Sequence, residues 1–252
     1  MKHRSERTQL LIGDPGLVRL KHAHVLVAGL GGVGAYAAEM LCRAGVGELT
    51  IVDADTVSVS NINRQLIALT STVGQPKSDL MRQRLLDINP DLKLHVIHDY
   101  LKDEKINTLF EGVAFDYVVD AIDTIAPKVF FIYTAIQHKL RLVSAMGAGG
   151  KLDPSQIAVE SIENTTQCKL AFMIRKRLHK LGVRSGFKAV YSTEVVPKHA
   201  VRMNEVLEQN KLTTVGTISY MPAMFGCYAA SVVIRDLLAE TGSMESPEKE
   251  ER

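Results

Sequence analysis

Gly29-Leu30-Gly31-Gly32-Val33-Gly34 is the stretch that decides the fold, because it joins an apolar strand, His24–Gly29, to a helix predicted over Val33–Ala44. Glycines let backbone N–H groups approach phosphates, and the helix that follows adds a partial positive charge. A second predicted strand, Glu48–Asp53, ends on a carboxylate 19 residues after Gly34. This context predicts a Rossmann-type nucleotide site rather than a tight turn that binds nothing.

Strands and helices alternate through the first half of the chain. The patterns predict further strands over Leu92–His98, Phe115–Ile122 and Arg141–Ala145, and helices over Lys77–Ile88, Lys102–Phe110 and Ala126–Lys139. Pro76 is expected as the first residue of its helix. Such alternation indicates a parallel sheet with right-handed crossovers, in which ligands bind beyond the carboxyl ends of the strands. The glycine turn, Asp53 and Asp123 all fall at such ends.

The pattern changes after Gly147-Ala148-Gly149-Gly150. We predict strands over Gln156–Ile162 and Phe187–Val196, a helix over Lys169–Leu181 between them, and a last core helix over Pro222–Glu240. The expected fold is α/β, a doubly wound and mostly parallel sheet that a smaller C-terminal α+β extension continues. Residues 1–150 would form the nucleotide-binding domain, 151–240 the second part, and 241–252 a disordered polar tail.

The composition is that of an ordinary globular protein, with 46% hydrophobic residues, 23% charged residues and a net charge of +2. Three cysteines, Cys42, Cys168 and Cys227, form no Cys-x-x-Cys pair, so we expect no four-cysteine zinc site within one chain. The odd cysteine count and the charged start of the sequence favour a cytoplasmic protein with no membrane segment.

The choice between NAD and ATP depends on the residues after Asp53. A hydride-transfer enzyme needs no Arg and Lys aimed at a triphosphate, whereas Arg64 and Lys77 lie 13 residues apart and could both reach one. Asp123 could then hold a magnesium ion that bridges the phosphates. An NAD(P)-dependent oxidoreductase or a nucleotide-sensing module stays open as an alternative.

Several motifs resemble, in the right order, the ThiF/MoeB family of adenylating enzymes, relatives of the ubiquitin-activating enzymes. They are the glycine turn, Asp53-Ala54-Asp55 with Asn61 and Arg64-Gln65, Val73-Gly74-Gln75-Pro76-Lys77, Ile88-Asn89-Pro90, and Asp120-Ala121-Ile122-Asp123. The resemblance covers about residues 1 to 150. It implies that the chain activates a carboxylate by attack on the α-phosphate of ATP, with release of pyrophosphate.

The resemblance also implies roles for single residues. ATP would be held by Gly29, Gly31, Gly32, Gly34, Asp53, Asp55, Asn61, Arg64 and Lys77, with Asp53 on the ribose and Asn61, Arg64 and Lys77 on the phosphates. Asp123 would be the catalytic carboxylate associated with Mg²⁺. Arg7 would reach the ATP of a partner subunit, which implies a homodimer, although a solvated terminal arginine is the simpler alternative.

The second half resembles the zinc-free branch of that family, the tRNA threonylcarbamoyladenosine dehydratases. The shared features are Gly147 to Ile157, a basic helix, Tyr191-Ser192-Thr193-Glu194 and an apolar C-terminal helix. The activated carboxylate would then belong to the threonylcarbamoyl group of a tRNA adenosine beside the anticodon, and ring closure would follow with net loss of water. The resemblance leaves room for a monovalent cation without assignable ligands, and for a cysteine-desulfurase or sulfur-acceptor partner.

A local excess of positive charge agrees with a tRNA substrate. The stretch from Lys169 to Lys188 has no acidic residue, whereas solvated helix faces usually mix both signs. Phosphate contacts from such a stretch would give strong, salt-dependent binding. The residues expected to contact RNA are Lys169, Arg175, Lys176, Arg177, Lys180 and Arg184.

Cys168 keeps a second function open. It lies where sulfur-carrier activators of the family keep cysteines, and a basic neighbour could lower its pKa. The alternative is therefore an adenylating activator of a ubiquitin-like sulfur-carrier protein. A structural cysteine is the simpler interpretation, and Cys42 and Cys227 are expected to be core residues.

Overall fold

The computed structural model describes residues 4–102, 104–208 and 211–239. Helices and strands alternate along most of the chain. The helices are α1 (Glu6–His22), α2 (Gly34–Ala44), α3 (Lys77–Ile88), α4 (Glu104–Phe110), α5 (Ile125–Gln137), α6 (Lys169–Lys180) and α7 (Tyr220–Ala239). The strands are β1 (His24–Ala28), β2 (Glu48–Val52), β3 (Lys93–Ile97), β4 (Tyr117–Asp120), β5 (Leu142–Ala145), β6 (Ile157–Ser161), β7 (Lys188–Ser192), β8 (Val201–Glu208) and β9 (Lys211–Val215).

Seven strands form one sheet in the order β3-β2-β1-β4-β5-β7-β6. Neighbouring strands are parallel from β3 to β7, and only the edge strand β6 runs antiparallel, against β7. Helices cover both faces: α1, α2, α3 and α7 contribute to one apolar core, and α4, α5 and α6 to the other. The predicted doubly wound sheet and its continuation by the second half are confirmed.

One helix and one pair of strands were not predicted from the sequence. Helix α1 contains Pro15 and a non-helical Gly13 (φ 68°, ψ 176°), so it consists of two pieces joined at a kink. Strands β8 and β9 form an antiparallel hairpin, which is joined to the main body where the Gly150 N–H donates to the Gly216 carbonyl at 2.7 Å. Pro76, expected inside its helix, is instead the N-cap residue before Lys77.

Helix α7 packs against α2 at very short distance. A Cβ atom on Gly226 would lie 2.4 Å from the carbonyl oxygen of Val33 and 2.8 Å from the Cβ of Tyr36. By length and composition Tyr220–Ala239 could also cross a membrane, but 56% of it is buried within the fold. The prediction of a core helix is therefore confirmed. The predicted tail, 241–252, lies outside the described residues.

Candidate nucleotide site

The glycine turn lies where β1 ends, and its neighbours leave no room for side chains at two positions. A Cβ on Gly34 would lie 1.7 Å from the Gly29 carbonyl oxygen, and a Cβ on Gly29 would lie 2.8 Å from the Ala121 carbonyl oxygen. Gly29 also has a φ of 90°, which favours glycine. The close contacts let α2 start directly against the strands, so its first N–H groups face the sheet edge.

The turn offers unpaired donors to an anion. In the described part of the chain, the N–H groups of Gly31, Gly32 and Val33 donate to no acceptor. A Cβ on Gly31 would meet nothing closer than Gln65 Nε2 at 3.7 Å, so the space above the turn is open. Free N–H groups at a helix start are suited to phosphate binding.

Asp53 stabilises the turn from the end of β2. Its Oδ2 accepts a hydrogen bond from the Leu30 N–H at 2.6 Å, and its Oδ1 accepts one from the Asp55 N–H at 2.8 Å. Burial raises the pKa of the Asp53 carboxyl, although the Lys77 charge and these two bonds oppose the rise. Each carboxylate oxygen has a second lone pair, so a ribose hydroxyl could still donate to Asp53.

Lys77 and Arg64 both lie beside the turn. The buried Lys77 Nζ forms an ion pair with Asp55 Oδ2 at 2.8 Å, and the Asp55 side chain is half exposed. The Arg64 carbonyl lies 3.3 Å from a Cβ placed on Gly32, while the Arg64 guanidinium donates to Ser60 O and Asn63 Oδ1. The structure thus places the Arg64 backbone and the buried Lys77 near the turn, while the Arg64 guanidinium is bonded within its own loop.

Asn61 is held by the loop that precedes Arg64. It is buried, and its Oδ1 accepts a hydrogen bond from the Ser58 N–H at 3.1 Å. This contact caps a single helical turn, Val59–Asn61, that ends three residues before Arg64. Asn61 therefore supports the loop through its Oδ1, while its amide nitrogen, the group that could donate to a phosphate, takes no part in this contact.

Asp123 is exposed on the loop after β4, and Thr124 Oγ1 donates to its Oδ1 at 3.3 Å. A buried pair fixes this loop: Lys128 Nζ lies 2.7 Å from Asp120 Oδ2, and both side chains have no solvent exposure. Asp120 also accepts from Ser144 Oγ and the Ile122 N–H, and Lys128 donates to the Ile122 carbonyl. The motif alone did not identify Lys128, because nothing in its sequence neighbourhood marks it as buried.

Gln65 is a second residue that the sequence analysis did not place in the site. Its Oε1 is buried without a hydrogen-bond partner in the described structure, and its side chain borders Gly31. Buried polar atoms are nearly always paired, so an unpaired acceptor beside the turn marks a position that a ligand could satisfy.

Arg7 is exposed on α1, near the side of the sheet where the parallel strands begin. Arg4, three residues before it, pairs with Asp91, which precedes the start of β3. Parallel strands place their starts and ends at opposite edges, so Arg7 is remote from the glycine turn of its own chain. The predicted contact of Arg7 with a partner's ATP stays a prediction.

The basic stretch of the second half lies mainly on α6. Ala171, Ile174 and Leu178 are buried, so the opposite side of α6 faces solvent. The exposed cations there and just beyond are Lys169, Lys176, Arg177, Lys180 and Arg184. Arg175 differs from the expectation: its guanidinium turns inward and donates to Ile162 O, Thr165 O and Thr165 Oγ1. It fixes the start of the helix and is not available to a large ligand.

The cysteines match structural roles. Cys168 is buried, and its Sγ accepts from the Ala171 N–H at 3.5 Å as the N-cap of α6. Burial raises the pKa of Cys42 to about 11 and raises that of Cys227 as well. Neutral, partly or fully buried thiols are poor nucleophiles.

These features define a class of α/β protein with a nucleotide-binding glycine turn at the carboxyl ends of a parallel sheet. A model of the ThiF family matches residues 5–250, and the chain therefore belongs to the ThiF family.

Relatives in this family match the chain over nearly its whole length. It is 37% identical to the tRNA threonylcarbamoyladenosine dehydratase of Bacillus subtilis over 95% of this chain and 96% of the relative. It is 35% identical to the E. coli dehydratase, covering 92% of each chain. A crystal structure of the E. coli enzyme, TcdA, in complex with ATP has 34% identity and a TM-score of 0.86, covering 96% of both chains.

The molybdopterin-synthase adenylyltransferase of E. coli is similar over a shorter region. It is 37% identical over 153 residues, or 61% of this chain and 59% of the relative. The similarity to the dehydratases therefore extends through the second half of the chain as well as the first.

Proposed function

We propose that this protein is an ATP-dependent tRNA-modifying enzyme that adenylates the carboxylate of threonylcarbamoyladenosine and closes it into a ring with net loss of water. The observation that carries the proposal is the full-length similarity to dehydratases, including the second half, where the fold extends the sheet. An ATP complex of the E. coli relative with the same fold supports ATP as the co-substrate.

The reaction balances without a covalent enzyme intermediate. A carboxylate oxygen of the substrate attacks the α-phosphorus, the bond to pyrophosphate breaks, and an acyl-adenylate forms. A second atom of the threonylcarbamoyl group then attacks the acyl carbon and closes the ring. The bond between the acyl carbon and AMP breaks, and AMP carries away the oxygen atom that the substrate loses. Positioning and charge neutralisation can supply most of the acceleration in such a transfer. The buried, capping Cys168 suits this scheme.

We assign the ATP phosphates to the free N–H groups of the glycine turn, to Lys77 and to Arg64. Lys77 would exchange its Asp55 partner for a phosphate oxygen, at little electrostatic cost because the ion pair is replaced by another. Asp53 would accept from the ribose while it continues to hold the turn. Asp123 offers a carboxylate to the Mg²⁺ that accompanies ATP, since Mg²⁺ prefers oxygen ligands; this ion would neutralise charge on the phosphates.

The tRNA would lie along the exposed side of α6. Lys169, Lys176, Arg177, Lys180 and Arg184 are exposed cations on one surface, and phosphate contacts of this kind dominate nucleic-acid affinity. This surface is on the face of the sheet that α5 also covers, and α5 begins directly after the Asp123 loop.

We also propose a homodimer in which Arg7 completes the partner's site. Leu10 and Leu11 on α1 are 84% and 85% exposed. Adjacent exposed leucines beside Arg7, which is remote from its own glycine turn, suit an interface between subunits. A cytoplasmic location agrees with a tRNA substrate.

The direct test is the product. Purified protein, MgATP and tRNA that carries threonylcarbamoyladenosine should yield a nucleoside lighter by one water, detected by mass spectrometry after digestion, together with AMP and pyrophosphate. Asp123→Ala should abolish this product, whereas Arg82→Gln, an exposed change on α3, should leave it intact. Turnover on a Gly-Gly-ended carrier protein without any change in the tRNA would instead support the sulfur-carrier alternative.

A further inference from the structure

A cluster of two histidines and a glutamate lies where strands β1 and β2 begin, beside the middle of β3. His24 and Glu48 are register partners in β1 and β2, and His95 in β3 is the partner of Thr50 in β2. This is the edge of the sheet opposite the glycine turn, so the cluster is separate from the nucleotide site.

The three side chains direct potential ligand atoms at a common point. One nitrogen of each histidine and a carboxylate oxygen of Glu48 all lie within 4.8 Å of one another. Glu48 Oε1 is 2.8 Å from His95 Nε2 and 3.5 Å from His24 Nδ1. Ligands about 2.0–2.2 Å from one zinc ion have separations of this size in a tetrahedral site.

The orientation of His24 is fixed by a second contact. Its Nε2 is hydrogen-bonded to Thr50 Oγ1 at 2.8 Å, so Nδ1 is the nitrogen that faces Glu48. The Phe115 ring packs against the imidazole at 4.6 Å between centroids. Metal-binding histidines are commonly held by such a hydrogen bond from the other ring nitrogen.

Lys93 is a cation that competes for this place. Its Nζ lies 2.8 Å from the same Oε1 of Glu48, but its side chain is 66% exposed. The ammonium group can therefore move into solvent when a divalent ion approaches. The metal ion then takes the place of the Lys93 ammonium beside Glu48, so the carboxylate still has a positive charge next to it.

We propose that His24, Glu48 and His95 bind one divalent ion of the zinc class, with water as a further ligand. Two imidazoles and one carboxylate form a donor set that Zn²⁺ accepts. Burial lowers the pKa of His24, although Glu48 and Asp116 oppose this shift while His95 and Lys93 add to it. A neutral imidazole is the form that binds metal. An ion here would join three adjacent strands and stabilise the folded chain.

The experiment uses the full chain with any histidine tag removed. Titration of metal-free protein with Zn²⁺, followed by calorimetry and by elemental analysis after gel filtration, should give one ion per chain and a higher Tm. Co²⁺ should give visible absorption bands that Zn²⁺ displaces. His95→Ala and Glu48→Gln should each weaken binding at least tenfold, with the fold verified by circular dichroism.

Two further variants separate a built site from adventitious binding. His22→Ala removes an exposed histidine two residues from His24 and should leave Zn²⁺ affinity unchanged. Lys93→Met should strengthen binding several-fold, because the competing ammonium is gone. The proposal is overturned if binding does not saturate near one ion, if His22→Ala weakens it as much as His95→Ala does, or if Lys93→Met weakens it.

Discussion

Gly34 and Gly31 belong to the same turn, but other atoms closely surround Gly34 and leave space beside Gly31. A Cβ on Gly34 would overlap the Gly29 carbonyl oxygen, whereas one on Gly31 would have ordinary contacts. We expect Gly34→Ala to lower the free energy of unfolding by about 3 kcal/mol, since a backbone atom must move. Gly31→Ala should keep its stability and weaken ATP binding, because the methyl group occupies the open space above the turn. Urea unfolding and calorimetry with ATP measure the two effects, and equal stability of both variants would contradict the prediction.

The Asp120–Lys128 pair shows how a fully buried charge supports an exposed functional residue. Lys128→Met would leave the Asp120 carboxylate buried without its cation, at a cost of about 3–5 kcal/mol in unfolding free energy. The Asp123 loop would loosen too, because Lys128 also holds the Ile122 carbonyl. Lys139→Met, at an exposed lysine, should change stability by less than about 0.5 kcal/mol. Chemical denaturation of both variants tests this difference, and a stable Lys128→Met protein would count against it.

Glu39 joins two helices on the same face of the sheet. From α2 it accepts hydrogen bonds from Arg43 and from Arg84 of α3. Burial alone would raise the pKa of Glu39, but the hydrogen bonds and charges of Arg84 and Arg43 outweigh it and lower the pKa below its ordinary value. Stability from ionised Glu39 is therefore fully present above the unfolded-state pKa of about 4.3, and it is lost as pH falls through the lower folded-state pKa.

We accordingly expect Glu39→Gln to lower the free energy of unfolding at pH 7 by about 1.5–3 kcal/mol, the range for hydrogen bonds to charged groups. The difference from the unsubstituted protein should shrink when the pH is taken below 4. Denaturant curves at several pH values measure it, with Glu111→Gln as an exposed control. A difference that is independent of pH would exclude the ionised form as the source.

Helix α6 is the element on which tRNA affinity should depend. Replacing Lys176, Arg177 and Lys180 by Gln removes exposed charge without touching the buried side of the helix. We expect weaker binding of all tRNAs and a salt dependence that is shallower by about 0.7–0.9 per lost contact. Arg82→Gln removes a cation from α3, on the other face of the sheet, and is the matched control. Filter binding over a range of salt concentrations would show an unchanged slope if α6 is not the contact surface.

Most of these elements could be predicted, because apolar runs and helical periodicity mark strands and helices that are buried on at least one side. Helix α1 escaped prediction because Gly13 and Pro15 interrupt its pattern. In the hairpin, apolar–polar alternation breaks at Glu205, and the pairing register shifts between Met203 and Glu208. Which strands are neighbours also depends on the whole sheet: β7 lies between β5 and β6, an insertion that no local pattern records. The Asp120–Lys128 contact and the inward turn of Arg175 are likewise products of tertiary packing.

The proposed dimer makes a prediction about mixtures of inactive proteins. If Arg7 serves the partner's site, Arg7→Ala and Asp123→Ala chains should each be inactive alone. In a 1:1 mixture after subunit exchange, half of the dimers are mixed and one of their two sites is complete, so about a quarter of full activity should return. Cyclisation assays before and after mixing measure this recovery. A mixture of either variant with itself is the control. No recovery between the two inactive variants would place Arg7 in its own chain's site, and an active Arg7→Ala protein would place it outside any site.

The contact between α7 and the glycine turn affects the order of events during synthesis on the ribosome. A Cβ on Gly32 would lie 2.9 Å from Pro222, and α7 also covers the side of α2 that follows the turn. The nucleotide-binding half leaves the ribosome before α7, so its apolar surface is uncovered until α7 has been made. A nascent chain stalled before Tyr220 therefore exposes this apolar surface and should need protection from aggregation.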